Sequence, residues 1–167
     1  LVNAFQKAKK ENVSIHFIGL VSRGGVHSSQ EHLYALTEMA NDYNIKKSYI
    51  HAFTDGRDCD PKSGLRFIKE LEKKISKSNT EIASVIGRYF AMDRDNRWER
   101  IKKAYDLMVY GKGESYNTAS EAIQLSYAKN ITDEFIEPTI INSKGTIKPK
   151  DIVVCFNFRT DRPRQIS

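Results

Sequence analysis

No apolar run in this chain approaches the roughly 20 residues that a membrane-spanning helix requires, so no helical span is expected. Cysteine is scarce: Cys59 and Cys155 lie far apart and form no CxxC pair, and two free thiols in a reducing cytoplasm are expected. There is no HExxH and no carboxylate cluster at metal-ligand spacing, so the chain is expected to hold no metal by itself. Ser22-Arg23-Gly24-Gly25 is neither a P-loop nor a GxGxxG fingerprint and carries no nucleotide signal. No internal repeat, low-complexity tract or signal-peptide pattern is visible.

What is present is an ordinary soluble composition with an uneven use of charge. At 167 residues the chain is long enough for one domain, and a fold of that size buries roughly 70% of the surface its unfolded chain exposes without help from disulfides. Lys and Arg total 27 against 21 Asp and Glu, a net charge of +6. That points to an acidic partner and leaves nucleic acid, anionic membrane and anionic metabolite open. The absence of Met at Leu1, and a dense charged segment just before Ser167, read as cut ends and hence as a domain excised from a larger protein.

One charged stretch stands apart because it lacks lysine. Gly87 to Arg100 (GRYFAMDRDNRWER) holds four arginines, two aspartates and a glutamate. Arginine without lysine favours planar, two-pronged grips on carboxylate or phosphate over a generic solvated surface. A site for a small, multiply anionic ligand is the expectation.

Hydrophobic periodicity places the elements. Residues 1–11 read as an amphipathic helix on Leu1, Ala4, Phe5 and Ala8, and 14–20 as a buried strand. Ser28 or Ser29 caps the next helix, with Leu33, Leu36, Ala40 and Tyr43 inward. A strand over 48–53 precedes a helix with Pro61 in its first turn and Phe67, Ile68, Leu71 and Ile75 inward. A third strand covers 80–86. Trp98, Ile101, Tyr105 and Met108 mark the buried stripe of a long helix that ends near Gly111. Thr118 caps a helix to about Lys129, residues 132–141 are short and irregular, 142–145 is a turn, and 152–158 is a last strand. Strands alternating with helices predict an α/β three-layer sandwich with a largely parallel sheet and helices on both faces.

In such sheets ligands bind outside the carboxyl ends of the strands. His27 follows the first strand, Arg57 and Asp58 the second, Arg88 and Arg94 the third, and Arg159 and Arg162 the last, so the polar loops are expected to converge on one edge. Asp58 has the wrong sign for an anion site. Either it abstracts a proton from a hydroxyl, or it caps the next helix or pairs with Arg57. His27 either donates to a phosphate or relays a proton, or is a loop or helix-start residue beside Gly24-Gly25. His16 and His51 lie within strands and read as structural; His32 reads as a helix-face residue. Asp93–Arg97 and Asn96–Arg100 have i,i+4 spacing, and intrahelical pairing is the expected role of Arg97 and Arg100.

Five stretches, in order, resemble the phosphotransferase domain of the cofactor-independent (2,3-bisphosphoglycerate-independent) phosphoglycerate mutase family. They are Gly19-Leu20-Val21-Ser22-x-Gly24-Gly25-Val26-His27-Ser28, His51-Ala52-Phe53-Thr54-Asp55-Gly56-Arg57-Asp58, Gly87 through Arg100, Thr132-Asp133-Glu134-Phe135, and Phe156-Asn157-Phe158-Arg159-x-Asp161-Arg162. The resemblance spans nearly the whole chain. It implies one substrate-binding domain over residues 1–167, inserted into a second, phosphatase-like domain of the same polypeptide that carries a nucleophilic serine and two metal ions, usually Mn2+. It further implies interconversion of 3-phosphoglycerate and 2-phosphoglycerate in glycolysis and gluconeogenesis in the cytoplasm, with substrate ligands at His27, Arg57, Asp58, Arg88, Arg94, Arg159 and Arg162. Asp58 would move the hydroxyl proton, and the isolated chain would not turn over. Two positions depart from the family pattern: Arg23 stands where Asp is usual, and Ser29 where His or Arg is frequent. The rival readings are a basic anion- or nucleic-acid-binding module without catalysis, and a phosphatase-type relative that keeps the grip but changes the chemistry.

Overall fold

The structure, a computed structural model, describes residues 1–167. In chain order the elements are α1 (Val2–Glu11), β1 (Ile15–Leu20), α2 (Gln30–Asp42), β2 (Ser48–Thr54), α3 (Gly64–Ile75), β3 (Thr80–Gly87), α4 (Arg88–Ala91), α5 (Trp98–Tyr110), β4 (Glu114–Ser115), α6 (Ala119–Ala128), β5 (Thr139–Ile140) and β6 (Ile152–Cys155). Single 3-10 turns cover Asp133–Phe135, Ser143–Gly145 and Pro163–Gln165.

The six strands form one sheet in the order β4-β5-β3-β2-β1-β6. β3, β2, β1 and β6 run parallel, and β5 joins β3 antiparallel with β4 alongside it. Side chains alternate across the strands, so each strand feeds two cores. Ile15 and Phe17 of β1, Ile50 and Ala52 of β2, and Ile82 and Val85 of β3 pack against Phe5, Leu33, Phe67, Leu71 and Ile123 from α1, α2, α3 and α6. On the opposite face Ile18, Leu20, Phe53 and Ile86 pack against Phe90, Ala104, Leu107 and Met108 from α4 and α5. This is a three-layer α/β sandwich with helices on both faces. The strand order reverses beside β1, between β2 and β6, which makes the crevice at the carboxyl ends of β1 and β6 the topological switch point.

Several local expectations need correction. The helix after β2 begins at Gly64, and Pro61 stands in the preceding turn. Trp98 and Tyr105 are 59% and 45% exposed; the inward stripe of α5 is Ile101, Ala104, Leu107 and Met108, one helical step around from the aromatic reading. β6 stops at Cys155, short of Phe158. The Arg-rich stretch opens only the four-residue α4, and residues 92–97 are loop before α5 begins. Other readings hold. The Thr118 hydroxyl accepts from the Glu121 amide as an N-cap. Gly111 ends α5 with φ +62°, the left-handed conformation that a residue without Cβ adopts at low cost. Ser29 occupies the N-cap position of α2, although its side chain makes no capping bond.

His16 and His51 are structural, as expected, and their partners explain how. His16 Nδ1 lies 3.0 Å from His51 Nε2, His16 Nε2 lies 3.2 Å from Asp151 Oδ2, and His51 Nδ1 lies 2.7 Å from Ser84 Oγ. This hydrogen-bonded row crosses from β3 through β2 and β1 to the loop before β6. Burial, with His16 adding to it, pushes His51 down to about 3, and burial lowers His16 despite Asp151.

Candidate functional site

The loop after β2 is built around Asp55. Its carboxylate is 1% exposed and accepts from the Ser22 hydroxyl (2.7 Å), the amides of Arg57 (3.2 Å) and Asp58 (2.9 Å), and Arg88 Nη1 (2.7 Å). An aspartate that accepts from amides two and three residues ahead folds its own turn. Burial alone would raise its pKa; the Ser22 hydroxyl, the Asp58 amide and Arg88 reverse that and hold the carboxyl below its ordinary range. Gly56 takes φ +68°, and a Cβ there would meet the Glu134 amide nitrogen at 2.8 Å, so the turn can lie flat against residues 133–134 only as glycine. From the other side Asp133 clamps the same loop. Its carbonyl accepts from Thr54 Oγ1 (2.7 Å), and its carboxylate accepts from the Gly64 amide (2.7 Å) and the Tyr127 hydroxyl. Burial pushes the Asp133 carboxyl up to about 6 against those donors.

Asp58 does neither of the two structural things open to it. It pairs with Arg88 Nη1 (2.5 Å), not Arg57, and its carboxylate lies 3.8 Å from His27 Nε2. Arg88, first residue of α4 and 3% exposed, therefore has one nitrogen committed to two carboxylates. Burial would lower its pKa, and the bonds to Asp58 and Asp55 more than compensate. His27 is 3% exposed and comes from the loop after β1. Its carbonyl accepts from the Phe158 amide (2.9 Å), which ties that loop to the one after β6. Burial first, then the charge of Arg88, lowers the His27 pKa, while Asp58 and Asp161 oppose them.

The remaining arginines close the ring. Arg94 Nη1 and Arg159 Nε bracket Asp161 at 3.1 and 3.0 Å. Arg162 donates from Nη1 to the Met92 carbonyl (2.9 Å), and Arg57 reaches Glu134 at 3.7 Å. A pocket of about 100 Å³ opens among Arg57, Arg88, Arg94 and Arg162, with Tyr89 and Arg100 on its wall. The seven residues marked out by sequence thus meet at one edge of the sheet. Four of them line this pocket, while His27 and Asp58 adjoin it through Arg88 and Arg159 through Asp161.

Sequence reasoning missed three carboxylates here: Asp55, Glu134 and Asp161. The Asp-Gly-Arg-Asp turn pattern was a signal for the first; nothing local marks Glu134, whose partner Arg57 comes from a distant loop, or shows that Asp161 meets Arg94 and His27 besides its neighbour Arg159. The expected i,i+4 pairs do not form, because residues 93–96 are not helical. Asp93 instead accepts from the amides of Asp95 (3.0 Å) and Arg97 (2.9 Å), and Arg100 lies 3.5 Å from it with its guanidinium 3.8 Å from the Tyr89 ring centre. Arg23, the first departure from the family pattern, turns away from His27 to Glu70 (3.0 Å) and Glu31 (3.6 Å) on α3 and α2. No group of three or more His, Cys, Asp or Glu side chains is arranged to hold a metal ion. The five guanidiniums of the pocket outnumber its three carboxylates, Asp93, Asp95 and Glu134, so the site does not fit a cation. No helix is long and apolar enough to cross a membrane.

A doubly wound parallel sheet with an arginine-rich recess at the carboxyl ends of its strands defines the chain as an α/β domain. Residues 1–167 match the family described as BPG-independent PGAM N-terminus, and the chain belongs to that family. It is 55% identical to the 2,3-bisphosphoglycerate-independent phosphoglycerate mutase of Flavobacterium psychrophilum over 172 aligned residues, which cover 100% of this chain and 34% of that protein. Against the protein of the same name from Parabacteroides distasonis it is 52% identical, covering 98% and 33%. A crystal structure of Leishmania mexicana phosphoglycerate mutase at low cobalt concentration superposes with a TM-score of 0.92 at 34% identity, covering 98% of this chain and 32% of that one. The chain therefore spans about a third of the length of these relatives.

Proposed function

We propose that residues 1–167 form the substrate-gripping domain of a 2,3-bisphosphoglycerate-independent phosphoglycerate mutase, which interconverts 3-phosphoglycerate and 2-phosphoglycerate in the cytoplasm. The observation that carries this is the convergence of Arg57, Arg88, Arg94 and Arg162 on one pocket, in a chain whose relatives bear that name. A phosphoglycerate presents a carboxylate and a phosphate, about three negative charges near neutral pH. Two to four charge-assisted hydrogen bonds, at roughly 1.5–3 kcal/mol each, support micromolar to millimolar affinity after the cost of association. In this reading the domain supplies position and charge neutralisation, the dominant needs of phosphoryl transfer. The phosphoryl-accepting serine and two divalent metal ions such as Mn2+ belong to a phosphatase-like domain elsewhere in the polypeptide, since the arginine-lined site here suits anions. Arg57, Arg94, Arg159 and Arg162 bind the ligand's oxygens. Asp58, held between Arg88 and His27, takes and returns the hydroxyl proton, with His27 beside it.

The arginines sit in a recess paired with carboxylates, which argues against an extended nucleic-acid surface. Trp98 and Tyr105, read from the sequence as buried, are exposed on α5. Calorimetric titration of 3-phosphoglycerate into this domain at low salt, with glycerol 3-phosphate as the control lacking the carboxylate, tests the grip. Selective binding of 3-phosphoglycerate is expected. Equal response to both ligands, or DNA binding that phosphoglycerate does not displace, would overturn the reading.

A further inference from the structure

Two buried polar atoms in the site, His27 Nδ1 and Arg162 Nε, have no hydrogen-bond partner, and Asp161 Oδ1 meets only Arg159 Nε, at 3.0 Å and without hydrogen-bond geometry. Buried polar atoms are nearly always satisfied, so these call for an explanation. Two of them face each other: Asp161 Oδ1 lies 3.8 Å from His27 Nδ1. The same carboxylate holds Arg94 through Oδ2 and Arg159 through Oδ1. On the other side of the ring His27 Nε2 lies 3.8 Å from Asp58. The imidazole is thus suspended between two carboxylates, each slightly beyond hydrogen-bond reach. Such contacts in unliganded sites often tighten only when ligand is bound.

We propose that Asp161 is a positioning residue of this site: its carboxylate closes onto His27 Nδ1, which fixes the ring with Nε2 toward Asp58, and it holds Arg94 and Arg159 aligned for the ligand. The inference rests on the function proposed above. Its logic is that of any histidine whose working nitrogen is set by the partner of the other nitrogen. The bland alternative is an exposed ion pair that contributes little. That alternative leaves unexplained why one carboxylate meets two arginines and a buried histidine drawn from three separate loops. The groups facing His27 are Asp58, Asp161, Arg88 and Arg159, and those facing Asp161 are Arg94, Arg159, Arg162 and His27.

The test uses the full polypeptide that carries this domain, as Asp161→Asn and Asp161→Glu. Asn keeps the shape and loses the charge; Glu keeps the charge. For Asn a fall in kcat/KM on the order of 100-fold is expected, as for a misplaced reacting group. The His27 titration, followed by nitrogen NMR, should move to lower pH because one of its two favourable carboxylates is gone. Glu should recover part of both. Parental kinetics and an unmoved His27 titration in Asp161→Asn would overturn the proposal. So would a loss of activity that leaves the His27 titration and its tautomer unchanged. If the parent polypeptide does not interconvert phosphoglycerates, the function reading fails, and the His27 titration in the two variants still decides the role of Asp161.

Discussion

Two histidines in this protein stand next to aspartates, and their surroundings differ in kind. His16 bonds Asp151 on one side and His51 on the other, and His51 passes on to Ser84, so every ring nitrogen in that row has a partner. His27 lies between Asp58 and Asp161 at 3.8 Å from each, and its Nδ1 has no partner. The first is a closed network that locks strands together. The second is an open one, with capacity left for something that arrives. Satisfied buried polar groups specify a fold, and an unsatisfied one calls for an explanation of its own.

The sharpest way to break this contrast is at Arg88, which belongs to both kinds of region. It is buried like the core row yet lines the site. Arg88→Ala strands Asp55 and Asp58 without their counter-ion, and a loss of about 3–5 kcal/mol in denaturant unfolding is expected. A variant within 1 kcal/mol of the parent would show that the loop does not depend on the pair.

The core row should respond next. His51→Ala leaves His16 Nδ1 and Ser84 Oγ unpaired around a void, costing about 2–4 kcal/mol by the same measurement, with no change in ligand affinity. The row also sets a pH dependence. His51 is held near 3 when folded and titrates near 6.5 when unfolded, so between those values the unfolded chain binds more protons. Its contribution is present above about 6.5 and is lost as pH falls toward 3, about 2 kcal/mol by pH 5. Asp133 works in reverse. Its folded carboxyl titrates near 6 against 3.8 unfolded, so between those values the folded state gains on acidification. Asp133→Asn should therefore steepen the acid loss, and His51→Ala should flatten it. Unfolding curves at pH 7 and 5 separate the two; equal pH slopes in parent and variants would refute the assignment.

At the open site the effects are smaller and fall on ligands. Arg94→Lys keeps the charge and loses the planar fork, and about a tenfold weaker 3-phosphoglycerate affinity is expected by calorimetry. Undiminished affinity would argue against a two-pronged contact. Smallest of all is Arg23→Ala, where an exposed pair with Glu70 and Glu31 predicts at most about 0.5 kcal/mol of stability and unchanged binding. A marked binding defect there would place Arg23 in the site after all.

The closed and open regions were unequally legible in the sequence. Parallel strands with loops at one edge made the positions of His27, Arg57, Arg88, Arg94, Arg159 and Arg162 readable, because strand order sends every such loop the same way. The apolar stripes of α2 and α3 were readable for a similar reason, 3.6-residue periodicity. Trp98 and Tyr105 misled because aromatics were weighted over Ala104 and Leu107, smaller residues that pack closer to the sheet. The partners were the unreadable part. His16 meets Asp151 across 135 residues, and Arg94 meets Asp161 across 67. Nothing in local composition announces a contact made by folding. Asp58 shows the limit well: its neighbour Arg57 looked like its mate, and the true one, Arg88, arrives from the next strand.

The bracketing of Asp161 by Arg94 and Arg159 has a kinetic side. Those guanidiniums are not bare charges awaiting an anion; they already hold one that is tethered to the chain. Under the function proposed above, an incoming carboxylate or phosphate shares them with Asp161 and gains only the difference between the new pairing and the old. Departure is assisted in the same way, since Asp161 regains the full pairing as the guest leaves. Such sharing trims residence time without abolishing selectivity, which under the proposed function suits a domain that releases its cargo at every cycle.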